Sequence, residues 1–241
     1  MTSISEQLQA IRARIAEAAR LAGRSPDTVS LLAVSKTHPP DRIREAFSAG
    51  QTRFGENYVQ EALDKMAVLS DLPLEWHLIG PIQSNKTRLI ATHFDWVHGV
   101  DRLKIAQRLN EARPPHLPPL DVCIQVNVSG EASKSGCQPA ELPALAKAIA
   151  GLPHLRLRGL MTIPEPTSDI ALQHQRFRML RTLFETLQRE GLALDTLSMG
   201  MSNDFPAAIA EGATIVRIGT AIFGARQKKP AAENTAITGG E

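Results

Sequence analysis

The 241-residue sequence has only two cysteines, Cys123 and Cys137. They lie too far apart for a C-x-x-C pair and no further cysteine completes a zinc knuckle. A disulfide scaffold is therefore excluded, no metal site is expected, and a reducing compartment fits. Charge of one sign is missing too. Lys and Arg number 27 against 25 Asp and Glu, a formal net charge of +2. That balance removes the usual electrostatic reason to expect a nucleic-acid or membrane-surface partner, despite a sequence pI near 8.7. No apolar run reaches the roughly 18 residues that a membrane-spanning helix needs. The dinucleotide signature G-x-G-x-x-G is also absent after the first predicted strand, which ends Ser35-Lys36-Thr37. A cytoplasmic, globular protein is expected.

What is present is a 43% hydrophobic share, enough for a sizeable core. At the N-terminus Ile4, Leu8, Ile11, Ile15 and Ala18 recur every three or four residues, which predicts one face of an amphipathic helix. Ser3 and Glu6 have capping-box spacing, and Gly23 stands where a helix would end. Glu6 and Glu17 argue against an organelle transit peptide.

From there on, strand and helix alternate. The spacing predicts strands at Val29–Ser35, Thr52–Gly55, Trp76–Gly80, Trp96–Val100, Leu120–Val128, Leu155–Ile163, Thr196–Met199 and Ile215–Gly219. Helices are predicted near 40–49, 57–69, 84–92, 102–112, 138–150, 170–190 and 203–211. Strands separated by helices pair in parallel through right-handed crossovers. About eight such units predict an α/β fold, a single (β/α)8 TIM barrel with an extra N-terminal helix, with an open doubly wound sheet as the alternative. The barrel domain is expected over residues 1–226, with 227–241 as a flexible tail.

Barrel chemistry belongs at the C-terminal ends of the strands. Alternation puts Leu32, Val34 and Lys36 on one face of the first strand. A lysine at the mouth of an apolar cavity has a depressed pKa, and its neutral amine attacks carbonyls to form a Schiff base. The bland alternative is a solvated loop lysine. After the seventh strand, Ser198-Met199-Gly200-Met201-Ser202 offers hydroxyls and a permissive glycine; after the eighth, Gly219-Thr220 allows close backbone approach. Loops after these two strands often hold phosphate, although such residues also fill ordinary turns. Arg217 shares the strand face of Gly219, and an arginine among Ile and Val is expensive to bury unpaired. It either pairs with a core group or donates to a cofactor ring nitrogen, which it would keep unprotonated.

The segments LLAVSKTHP, FGENYVQEALDK, EWHLIGPIQSNK, LRGLMTIP, LSMGMSNDF and VRIGTAIFGAR, in order from about residue 29 to residue 226, resemble those of the pyridoxal phosphate homeostasis family. The resemblance implies a barrel of the alanine racemase N-terminal-domain type. It implies that Lys36 carries pyridoxal 5'-phosphate as a Schiff base and that Arg217 faces the pyridine nitrogen. Ser198, Gly219 and Thr220, with the turn Gly200–Ser202, would hold the phosphate, and Asn57 and His77 would lie beside the ring. Many members have lysine two residues after the Schiff-base lysine; this chain has His38.

Three activities compete: a non-catalytic binder that buffers or delivers the cofactor, a pyridoxal phosphate-dependent amino-acid racemase, and a cofactor-free Schiff-base enzyme. Racemisation needs an acid or base on each face of the substrate carbon. The sequence has one tyrosine, Tyr58, and 18 residues after Phe223, too few for a second domain. Arg217 has no purpose in a plain aldolase. A monomeric carrier is expected, with no catalytic residue and with apo-enzymes as its acceptors. Cys123, flanked by Val122 and Ile124, reads as an inert buried thiol, and His77, His93 and His98 do not have metal-ligand spacing. Lys134 reads as a loop lysine able to reach the mouth.

Overall fold

The computed structural model describes residues 2–130 and 135–224. Lys134 and the 227–241 segment lie outside the described residues. Helix α1 (Ile4–Leu21) comes first, and eight strand–helix units follow it. They are β1 (Ser30–Val34) and α2 (Pro40–Ser48), β2 (Arg53–Glu56) and α3 (Val59–Val68), β3 (Glu75–Leu78) and α4 (Thr87–His93), and β4 (Trp96–Val100) and α5 (Leu103–Ala112). The second half holds β5 (Leu120–Gln125) and α6 (Leu142–Ala150), β6 (Leu155–Met161) and α7 (Ile170–Arg189), β7 (Thr196–Ser198) and α8 (Phe205–Ala210), and β8 (Ile215–Ile218) and α9 (Thr220–Phe223). The strands form one closed parallel barrel in sequence order, sealed where β8 pairs with β1.

Alternation divides the strand residues between two cores. Ala33, Phe54, Leu78, Val97, Val122, Leu160, Leu197 and Val216 point outward and pack with the helices. Leu32, Val34, Ile79 and Ile215 meet inside the barrel, as do Trp96, Cys123 and Met161. The base of the barrel, at the strand N-termini, is closed by charge. Arg53 pairs with Glu75 at 3.2 Å, and Arg158 bridges Asp121 at 2.9 Å and Asp195 at 2.7 Å. The Arg158 guanidinium also lies 4.6 Å from the centre of the Trp96 ring.

Helix α1 has the capping box its sequence promised: Glu6 N–H donates to Ser3 Oγ at 3.2 Å, and Ser3 N–H to Glu6 Oε2 at 2.8 Å. Its buried face is Ile4, Leu8, Ile11, Ile15 and Ala19; Ala18, one residue earlier, is half-buried. That face packs on α2, α8 and α9. Each large side chain contributes about 1.5–3 kcal/mol by burial. Several boundaries differ from the predicted ones by one to four residues, and one α-helix is new. β5 stops at Gln125, and Val126 bridges Cys137 instead of continuing the strand. α9 is new, a four-residue helix too short to show any periodicity.

Candidate functional site

Lys36 stands two residues beyond the end of β1 and is half-buried, while Leu32 and Val34 before it point into the barrel. Its loop is strained. Thr37 has a φ of 67°, a left-handed conformation that a β-branched residue adopts only when its surroundings impose it. The constraint is visible on both sides of Lys36. Thr37 N–H donates to Glu61 Oε1 at 2.5 Å, and His38 N–H donates to Ser35 O at 3.1 Å. Beneath the loop, Lys65 Nζ donates to Ser35 O at 2.8 Å, Glu56 Oε1 at 2.7 Å and Glu61 Oε1 at 2.6 Å. Ser35 Oγ donates to the same Glu56 oxygen at 2.6 Å. Burial raises the Glu56 carboxyl above its ordinary range, and Lys65 opposes that rise. His38, in the place of a second lysine, is buried with its ring 5.1 Å from that of Phe223.

Arg217 is buried on the inner face of β8. Nη1 donates to Ser198 Oγ at 2.7 Å and Nη2 to Thr162 O at 2.8 Å. Ser198 ends β7 and Thr162 directly follows β6, so the guanidinium lies on the floor of the mouth. Desolvation lowers it to about 10, which leaves it charged at neutral pH. Of the alternatives its sequence position allowed, Arg217 pairs with neutral oxygens, not with a core carboxylate.

Two expected positions need correction. Ser198 does not face the phosphate-side loop: it is fully buried, and Oγ is taken by Arg217 and by His98 Nδ1 at 2.8 Å. His77 does not reach the mouth. β3 ends at Leu78, two residues before its expected end, and Ile79, two residues beyond His77 and of the same inward parity, lies above it. The His77 ring stacks on Trp96 at 5.4 Å and borders a base-side cavity of about 380 Å³.

Of the residues expected to hold phosphate, Ser202 and Thr220 border one cavity, and Gly200 and Gly219 are not in its lining. That cavity, of about 930 Å³, is lined by Ser168, Gln173, Met201, Ser202, Asp204 and Thr220, among others. Gly200 has a φ of +94°, and a Cβ there would meet Ala208 Cβ at 2.6 Å, so only glycine lets the β7–α8 turn fold against α8. Gly219 lies where a Cβ would come within 2.9 Å of Val34 O, at the β1–β8 seam. Asn57, just past β2, is half-buried, and its Oδ1 is one of two buried side-chain oxygens without a hydrogen-bond partner among the described residues. An acceptor left in that state fits a ligand's donor.

Reading the sequence alone missed Glu56, Lys65, His98 and Thr162. One signal was available: Lys65 recurs at helical spacing with Ala62 and Leu69, an apolar stripe in which a lysine implies a buried partner. Cys123 is the inert thiol expected, fully buried and pushed far above its ordinary pKa by desolvation. No cluster of metal-ligating side chains occurs among the described residues.

A closed parallel barrel with a lysine past its first strand and a buried arginine on its last defines a class. It is the barrel of alanine racemase's N-terminal domain, and a family profile of that description matches residues 7–227. Alanine racemase from Corynebacterium glutamicum shares this fold at 20% identity, with a TM-score of 0.64, covering 94% of this chain and 62% of that one. Closer relatives narrow the class. The pyridoxal phosphate homeostasis protein of Pseudomonas aeruginosa is 67% identical over 226 residues, 94% of this chain and 97% of that one. That of Escherichia coli K12 is 56% identical over 229 residues, covering 94% and 98%. PipY of Synechococcus elongatus PCC7942, solved with PLP bound, is 42% identical with a TM-score of 0.81 and covers 92% of this chain and 100% of its own. The chain belongs to the pyridoxal phosphate homeostasis protein family. No described helix is long and apolar enough to cross a membrane.

Proposed function

We propose that this protein binds pyridoxal 5'-phosphate at the barrel mouth, covalently through Lys36, and controls its availability without using it for amino-acid chemistry. The residues present fit the group. Lys36 supplies the amine, Arg217 a donor on the floor, Asn57 an unpartnered acceptor at the rim, and Ser202, Thr220 and the backbone at Gly200 and Gly219 a polar side for the phosphate. Bound there, the cofactor supplies an aldehyde that condenses with amines and a pyridine ring that can accept electrons. Ser198 and His77 drop out of direct contact, for the reasons of placement given above.

The observation that carries the non-catalytic reading is the set of relatives at 56% and 67% identity named for homeostasis and not for catalysis; Arg217, which belongs to the barrel class as a whole, limits the chemistry of the ring. A guanidinium fixed by Ser198 and Thr162 cannot give up its proton at neutral pH, so a ring nitrogen facing it accepts a hydrogen bond and stays unprotonated. The ring is then a poor electron sink. Tyr58, the chain's sole tyrosine, is 59% exposed at the start of α3, so it is not a buried acid or base. The working unit in this reading is a monomeric barrel of residues 1–226 in the cytoplasm, with apo-enzymes that require the cofactor as acceptors.

The test joins two measurements. Borohydride reduction of the loaded protein followed by mass spectrometry should place the pyridoxyl group on Lys36, and Lys36→Ala should lose it while remaining folded. Loaded protein incubated with L-amino acids in deuterated water should show no α-proton exchange yet pass cofactor to an apo-enzyme. Saturable exchange that disappears in Lys36→Ala would restore the racemase reading.

A further inference from the structure

Four hydrogen bonds run in single file through the interior of the barrel. Glu75 Oε1, at the base, lies 2.7 Å from His77 Nε2. His77 Nδ1 lies 2.9 Å from His98 Nε2, and His98 Nδ1 lies 2.8 Å from Ser198 Oγ. Ser198 Oγ accepts from Arg217 Nη1 at 2.7 Å. Glu75 is about a third exposed, and everything above it is buried. None of this is needed to hold a barrel closed, because a close-packed apolar filling does that at lower desolvation penalty.

The chemistry of the two ends fixes every proton between them. A carboxylate only accepts and a guanidinium only donates. His77 must therefore donate from Nε2 to Glu75. Burial keeps both rings neutral at neutral pH, helped by Arg217 at His98 and outweighing the pull of Glu75 on His77. A neutral His77 then accepts at Nδ1, so His98 carries its proton on Nε2. His98 Nδ1 accepts in turn, and the Ser198 hydroxyl has one remaining role, to donate to it while accepting from Arg217. All four bonds point from mouth to base. Aligned bonds of this kind polarise one another in a low dielectric.

We infer that Glu75, His77, His98 and Ser198 are positioning residues for Arg217, a one-way file that couples the charge of Glu75 at the barrel base to the guanidinium on the floor of the mouth. The file leaves Ser198 Oγ with no hydrogen to offer Arg217, so the guanidinium is held solely as a donor. The charged groups around it are accounted for. Arg53 and Asp95 face His77 and Glu75, Arg158 reaches Glu75 from the base cluster, and Asp204 and the neutral Cys123 thiol are the groups nearest Arg217 in charge. The link from Arg217 to a ring nitrogen rests on the function proposed above; the file itself does not.

The experiment separates the two. In cofactor-free protein with ¹⁵N-labelled histidine, NMR near pH 7 should find His77 and His98 both neutral with the proton on Nε2. A proton on Nδ1 of either ring, or an imidazolium, overturns the file whatever the protein binds. Glu75→Gln removes the charge but keeps the shape, and should shift the ring signals of both histidines; signals unchanged at His98 would overturn the coupling. In loaded protein, Ser198→Ala should alter the cofactor's visible absorption and weaken its binding on the order of tenfold, while Ser198→Thr keeps both. Spectra identical in wild type and Ser198→Ala, with the tautomers as stated, would overturn the positioning role and leave the binding function standing.

Discussion

Replacing Lys65 by Met would remove the cation beneath the Lys36 loop and leave Glu56 inside the protein without its partner. The two side chains are 6% and 0% exposed, at 2.7 Å. Breaking such a pair from one side typically costs about 3–5 kcal/mol. Here the ionic part has a ceiling. Glu56 can escape by binding a proton, and protonating a carboxyl of ordinary value 4.5 near pH 7 costs about 3.4 kcal/mol. The ceiling is lower still, since burial already raises Glu56 in the intact protein. A loss of about 2–3 kcal/mol near pH 7 is expected, and the sign with pH follows. As pH falls the wild-type pair loses its own ionisation, so the gap between wild type and variant should shrink by more than half near pH 5. Urea unfolding at both pH values measures it. A gap of equal size at both, or under about 1 kcal/mol near pH 7, would refute the assignment of a buried, charge-compensated Glu56. Glu56→Gln in the Lys65→Met background should recover part of the loss near pH 7, because no charge is then left to bury.

Two further outcomes are expected. Thr220→Val should weaken pyridoxal phosphate by about 1.5–3 kcal/mol, the range for a hydrogen bond to a charged acceptor, and leave pyridoxal nearly unaffected; equal losses for both in a binding titration would show that the hydroxyl does not meet phosphate. His77 and His98 both have folded values below the ordinary 6.5, so the unfolded chain takes up protons first as pH falls, and stability is lost below about pH 6.5 by up to 1.4 kcal/mol per pH unit per ring. The clean measurement is the difference in thermal melting between wild type and His98→Gln from pH 7 to 5.5, in which the opposing carboxyls raised by burial, Glu56, Asp95 and Asp204, cancel. A difference that does not change with pH would count against a neutral, buried His98.

The fold was legible because its signals are local. Leu32 and Val34 alternate, Ser3 and Glu6 cap, and each strand lies within a few residues of its expected place. The inward placement of Arg217 was legible for the same reason, since the parity of a single strand decides which way it points. Ser198 and His77 were misplaced because their roles depend on their level in the barrel, which is set by the stagger between strands. Ser198 ends β7 but its hydroxyl turns inward to Arg217 and His98, and His77 has Ile79 of the same parity above it. The His77–His98 contact was within reach, since both residues have inward parity on neighbouring strands. The bonds of His98 to Ser198 and of Lys65 to Ser35 join residues 100 and 30 positions apart, and no periodicity reports such distances.

The packing of α1 has a consequence for how the chain is made. Its apolar face is synthesised before any of the barrel strands, and α2 gives it only a partial partner. The rest of its seat, on α8 and α9, is built from residues 205–223. At a synthesis rate of about 5–20 residues per second, that seat emerges roughly 10–40 s later. The β1–β8 seam waits equally long, because its two strands are separated by nearly the whole described chain. During this interval Ile4, Leu8, Ile11 and Ile15 form an amphipathic surface without its counterpart, the kind of segment that folding helpers bind. Ribosome-bound fragments ending before residue 205 would be sticky, and completion of the last strand–helix unit would hide the first helix and close the ring in one event.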